Sequence, residues 1–405
     1  MLLRSCVLFV GSALVAACGS DDTGTSSGTP GTTTAFLEKA GPVVEQYAKN
    51  VHANYVEALD KAKLLQVAID AFVAAPSATT QDAAKTAWIA ARVPYRPSEV
   101  YRFYGGPIDD EMTGPEGALN AWPLDENFID YNADDANAGI VNHPDLVATI
   151  TEEALRGENE KGGEKNISTG YHAIEFLLWG QDSDPPAMKT TGKRPHTDFV
   201  VGAGGTAKNQ DRRGLYLRTV TAMLVSDLEG LVKAWAPGGD NYGKTFAADP
   251  KTAVTNMLTG MGAMANAELS GQRMTVAYKN RDQEDEHSCF SDTTNADILG
   301  NALGIENVYL GKYAATNGPG LDELVAAVDP ALDAAMKKAL ADTAAATAGM
   351  QGVPFDAAIA AADGSPEREA VLKVIKALKV EAPLIVQIGT ALGVTFKLEE
   401  PSEQL

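Results

Sequence analysis

The 405-residue chain is poor in cysteine (three), histidine (five) and aromatic residues (7%), and its 33 basic residues are outnumbered by 54 acidic ones. So few cysteines exclude a disulfide-stapled fold and a four-thiolate zinc site. Cys6 and Cys18 lie at the extreme N-terminus, which leaves Cys289 as the single thiol of the body and permits no internal disulfide. The formal charge of −21 argues against nucleic acid or an anionic membrane surface as a partner and favours cations. Period-two alternation of β-branched residues is nearly absent, which excludes a sandwich or barrel. After the first eighteen residues no stretch is long and apolar enough to span a bilayer.

What the N-terminus does contain reads as an export signal over 1–17: Arg4, the apolar run Val7 to Val15, then Ala16-Ala17. Leu14-Val15-Ala16-Ala17-Cys18 has the form of a bacterial lipobox, with Cys18 as the lipidated residue and Gly19 rather than aspartate after it. That pattern predicts an outer-membrane lipoprotein, facing the periplasm or the cell surface and held by lipid alone. Residues 18–35, almost all Gly, Ser, Thr, Asp and Pro after the cysteine, read as a flexible tether.

From residue 36 the chain is dominated by alanine-rich amphipathic stretches: 36–75, 79–95, 145–157, 166–179, 210–236, 251–278, 296–313, 320–348 and 365–392. These predict an all-α protein of two packed helical bundles, 36–200 and 205–400, with room for a diverged duplication. Helix starts are marked at Thr80, at Asp145 and at Ser365-Pro366. Three long loops, 103–143, 180–208 and 237–250, are candidates for function, and 180–208 is also the candidate boundary between the bundles.

Gly170-Tyr171-His172-Ala173-Ile174-Glu175-Phe176-Leu177-Leu178-Trp179 sets an imidazole and a carboxylate on one helical face within an apolar stretch. Such a pair is costly to bury unless a metal ion or a shared proton satisfies it, although an i,i+3 His/Glu contact also occurs on helix surfaces. Neither His-Glu-x-x-His nor His-x-x-Glu-His is present. Further donors must come from elsewhere. Glu99, after the helix-interrupting Pro94 and Pro97, is the leading third ligand, against a reading as an ion-pair partner of Arg96 or Arg102. Asp109 and Asp125 could ligate, orient His172 or cap turns. Arg281 to Thr294 gathers several acids with His287 and Cys289, so that His287 and Asp292 are additional candidates, against a reading as a solvated acidic turn. His52, His143 and His196 have no partner at ligand spacing.

These residues resemble the imelysin-like family, whose Gly-x-His-x-x-Glu motif is matched by Gly170, His172 and Glu175. The resemblance extends in order through Arg92-Val93-Pro94-Tyr95, Gly105-Gly106-Pro107-Ile108-Asp109, Asn120 to Glu126, Asp282 to Asp292 and Asn307 to Gly311. It implies two helical bundles with the His/Glu motif near their junction, in exported bacterial proteins implicated in iron uptake and once described as metallopeptidases. Where relatives tend to read Asp-Asn-Thr-His, this chain has Asp292-Thr293-Thr294-Asn295. Together the readings predict a metal-binding lipoprotein, with His172, Glu175 and Glu99 holding iron, or zinc, and with Asp109, Asp125, Arg102, Asp292 and His287 in support. Its expected partners are the ion or an iron-bearing ligand and iron-uptake components. The alternatives are a zinc-dependent metallopeptidase, and a partner-binding lipoprotein whose His/Glu pair is structural.

Overall fold

In a computed structural model, residues 30–403 are described, with side chains from residue 39 onward. The signal segment, Cys18 and most of the tether lie outside the described residues. Among those described the chain is all-α apart from a two-residue hairpin, Lys312–Tyr313 paired with Thr316–Asn317, and no helix is long and apolar enough to cross a membrane.

The main helices are α1 (Pro30–Ala74), α2 (Ala78–Tyr95), α3 (Gly170–Trp179), α4 (Gln210–Trp235), α5 (Pro250–Ala263), α6 (Thr294–Tyr309), α7 (Pro330–Gly349) and α8 (Pro366–Ala391). One group packs α1 against α2 and α4, with α3 wedged on α2 and α4. A second packs α7 on α8 and α6, with α5 along α8. The long α1 touches both groups, reaching α5 and the hairpin at one end. A 3-10 turn, Arg96–Val100, continues α2 and lies against α6.

Capping chemistry explains where helices start. Ser77 and Thr80 form a reciprocal capping box before α2, so Thr80 is the box partner and not the N-cap. Ser365 caps α8, with Pro366 in its first turn. Asp145 starts no helix; Thr151 caps a short one at Glu152–Glu158. The expected helix over 320–348 is two, Leu321–Val328 and α7, because Pro330 lacks the donor to continue the first and Asp329 caps the second with 3.1 and 3.0 Å bonds to Ala331 and Leu332.

Beyond α5 the backbone winds as a π-helix over Met264–Thr275, the Val276 N–H donating to the Gly271 carbonyl five residues back. In an α-helix residues five apart diverge around the axis. Here Arg273 Nη2 reaches Glu268 Oε1 at 2.7 Å.

Candidate metal centre

All ten residues of α3 are buried. Its first residue must be glycine: Gly170 has φ +84°, and a Cβ there would lie 2.5 Å from the Leu119 carbonyl oxygen. That close approach locks the start of α3 against the 103–143 loop, and Trp88 Nε1 ties it to α2 by donating to the Tyr171 carbonyl at 2.9 Å. Ile174, Phe176 and Leu177 are fully buried, each contributing about 1.5–3 kcal/mol. The face carrying His172 and Glu175 is therefore held rigidly inside the protein.

His172 Nδ1 lies 3.0 Å from Glu175 Oε2. The other carboxylate oxygen, Oε1, accepts from the Ser291 backbone N–H at 3.0 Å and its hydroxyl at 2.6 Å. The loop bearing Ser291 also presents His287, whose ring centre is 4.6 Å from that of His172 in edge-to-face contact. His287 repeats the arrangement of His172, its Nδ1 lying 3.0 Å from Asp297 Oδ2. Each imidazole thus has a carboxylate on Nδ1, which favours the proton there and leaves a lone pair on Nε2. Both Nε2 atoms are buried and without a hydrogen-bond partner. Burial and then the nearby Arg273 and His172 hold His287 well below the usual imidazole range, so its neutral form is favoured.

Asp297 stays charged. Burial pushes its carboxyl up, but Arg92 and Arg96 beside it hold it well below the usual carboxylate range, with Arg92 Nη2 at 3.3 Å and Arg96 Nε at 2.5 Å from Oδ1.

Glu99 is committed to arginine and amide donors. It is fully buried, but its carboxylate accepts from Arg273 at 2.6 Å, Asn120 at 2.9 Å and Asn301 at 3.1 Å. Burial opposes its ionisation, while Arg273 and Arg92 draw its pKa down to about 2. Among the described residues it forms no three-donor group with His172 and Glu175. Asp109 is likewise a turn-former, taking the backbone N–H groups of Tyr104 and Gly106 at 3.1 and 2.8 Å and not orienting His172. Asp125 accepts from Asn127 N–H at 3.0 Å, capping the short helix Glu126–Ile129. Arg102 pairs with Glu116 at 2.9 Å and lies 4.0 Å from Glu99. It lines, with Asn120, Trp122, Glu268, Arg273 and His287, an open cleft of about 360 Å³. His287 is thus the imidazole that faces the cleft.

Asp292 belongs to a different cluster. One oxygen each from Asp182, Asp292 and Asp356 lie within 4.8 Å of one another. Burial, then the carboxylates of Asp356 and Asp182, push Asp292 up to about 7. Cys289 is half-buried, and burial, then the charges of Glu175 and Glu284, push its thiol well up, against a thiolate role. Asn295 donates to the Val353 and Met350 carbonyls at 2.6 and 3.3 Å.

Ser291, Asp297, Asp182 and Asp356 were not predicted. Asp182 sits three residues past α3 and could have been suspected; nothing in the sequence around Asp356 signals its role.

The imelysin family model (Peptidase M75) matches residues 51–382, and the chain belongs to that family. It is 24% identical over 270 residues to iron-regulated protein A of Synechococcus elongatus, a match that covers 64% of this chain and 61% of that protein's length. The fold is similar to that of an iron-regulated protein A precursor from Parabacteroides distasonis, with a TM-score of 0.64, 20% identity, and coverage of 88% of this chain and 95% of that one. It is also similar to an imelysin-like protein from Psychrobacter arcticum, with a TM-score of 0.60, 15% identity, and coverage of 88% and 96%.

Proposed function

We propose that this protein binds a transition-metal ion, iron in the first instance, at His172 and His287, and that it serves bacterial iron handling as an exported lipoprotein tethered through Cys18. The observation that carries the reading is the pair of buried, partnerless Nε2 atoms on touching imidazoles. A buried lone pair left unsatisfied costs about 1–3 kcal/mol, and two on touching rings could be satisfied by one shared ion. Carboxylate on Nδ1 with Nε2 free is the arrangement by which proteins orient metal-ligating histidines. On this reading Glu175 and Asp297 fix the tautomers, and Glu99 with Arg273 stiffens the wall of the cleft.

A bound ion would supply Lewis acidity and an attachment point for donors entering through the cleft. No third His, Cys, Asp or Glu donor converges on the imidazoles among the described residues, so the remaining positions would fall to water or to an incoming ligand. Such a site suits exchangeable binding. The similarity to an iron-regulated protein supports iron, and imidazole donors also accept zinc. Glu175, the carboxylate nearest His172, has both oxygens engaged, which favours binding over peptide hydrolysis.

Metal content of the purified protein after loading with Fe(II) or Zn(II) tests this. His172→Ala and His287→Ala should each abolish stoichiometric binding while helical circular dichroism persists, and Glu175→Gln should weaken it about 10–100-fold. Undiminished binding in both alanine variants would overturn the site, and chelator-sensitive peptide hydrolysis lost in Glu175→Gln would replace carriage with catalysis.

A further inference from the structure

We infer that Asp182, Asp292 and Asp356, with Glu286 beside them, form a second cation site, built for a hard divalent ion of the calcium type and separate from the imidazole pair. The three aspartates come from three places: the segment after α3, the loop before α6, and the short helix Phe355–Ala360. One oxygen from each lies within 4.8 Å of the other two. Two oxygens bound to one calcium ion at about 2.3–2.6 Å can be no farther apart than about that distance.

Acidic residues often gather on surfaces without a ligand, but this group is not a solvated patch. Asp356 and Glu286 are each only 1% exposed, and each has a carboxylate oxygen, Oδ1 and Oε2, with no hydrogen-bond partner. The charges that act most strongly on Glu286 are Asp356 and then Asp292, which places it near two of the three aspartates. Among the described residues no lysine, arginine or histidine forms an ion pair with any of the four. Lys193, the cation felt by Asp182, is committed to Asp184, and Lys189, felt by Asp356, forms no ion pair with it. Buried carboxylates without a counter-charge are costly unless neutralised by protons or a metal. Only oxygen donors are offered, which selects a hard ion over one that prefers imidazole or thiolate. Asp292 is half-buried, which gives an ion a route from solvent, and its left-handed backbone, φ +53°, is a conformation aspartate tolerates. An ion held here would clamp the loop carrying Ser291 to the second helical group.

The test is thermal unfolding and calorimetric titration of the chelator-stripped chain with Ca²⁺, and with Mg²⁺ at equal concentration. Ca²⁺ should bind with one-to-one stoichiometry and raise Tm by several degrees, with Mg²⁺ having a much smaller effect. Asp292→Asn/Asp356→Asn should lose Ca²⁺ binding by at least about tenfold, yet melt in chelator no lower than the unsubstituted chain, because like-charge repulsion has been removed. Should that double variant fail to fold, the single Asp292→Asn, at the half-buried position, gives the same readout. Absence of saturable Ca²⁺ binding by the unsubstituted chain, equal effects of Mg²⁺ and Ca²⁺, or unaltered Ca²⁺ binding in the variants would each overturn the assignment.

Discussion

Two buried clusters of charge share the 180–208 loop and are satisfied in opposite ways. In the first, Asp130 accepts from Arg213 Nε at 2.6 Å and Nη2 at 2.9 Å, and from Arg194 Nη1 at 2.6 Å. Arg213 also reaches the Asp198 carbonyl at 2.8 Å. This cluster joins the 103–143 loop, the 180–208 loop and α4, and every carboxylate in it has a guanidinium. In the second, Asp182, Asp292, Asp356 and Glu286 crowd together with no cation of their own. The first is finished by the protein alone and serves as a rivet. The second is complete only with protons or a ligand, and that incompleteness distinguishes a functional cluster from a structural one.

The sharpest way to break the comparison is Asp130→Ala, which strands two buried guanidinium groups; it should cost about 3–5 kcal/mol, measured by urea unfolding. If it costs less than 1 kcal/mol, the rivet reading fails. An unpaired acid elsewhere provides the next contrast. Glu381, on α8, is 1% exposed, bonded by the Thr343 hydroxyl, and burial pushes it up to about 7. A carboxyl whose folded pKa is raised destabilises the fold as pH climbs from its unfolded value near 4.5 to about 7, since the unfolded chain releases the proton first. Glu381→Gln should therefore leave stability unchanged near pH 4 and raise it by on the order of 3 kcal/mol at pH 8. Identical pH profiles for the two chains would refute this.

Smaller effects sharpen the difference between capping and ligation. Asp109→Asn, which keeps one acceptor for the backbone donors of its turn, should lower stability by about 1–2 kcal/mol and leave metal content untouched. Asp125→Ala should cost about 1 kcal/mol as the loss of an N-cap, again with full metal content. Loss of bound metal in either would return these residues to the site.

The helical class and most helix positions were legible because a 3.6-residue apolar period and capping residues act locally. The stretch 320–348 is two helices because Pro330 stops the first, a local signal that the continuous alanine-rich period masks. The contact of His172 with Glu175 was legible from their i,i+3 spacing in an apolar helix. The choice of Glu99 as third ligand was not correctable from sequence, because nothing near it reveals that Arg273 arrives from a π-helical segment to neutralise it. The stretch 281–294 was recognised as chemically dense, but it contributes to two places: His287 and Ser291 to the histidine pair, Glu286 and Asp292 to the acidic cluster.

By itself the sequence determined what depends on neighbours along the chain: an all-α protein, the Ser365 cap, and a histidine and a glutamate on one face of an apolar helix. Only the tertiary structure decided which charges meet. Arg96 and Asp297, or Asp182 and Asp356, are brought together by packing over long sequence separations, and whether a buried acid acquires a guanidinium or is left without one depends on that packing, which no local pattern records.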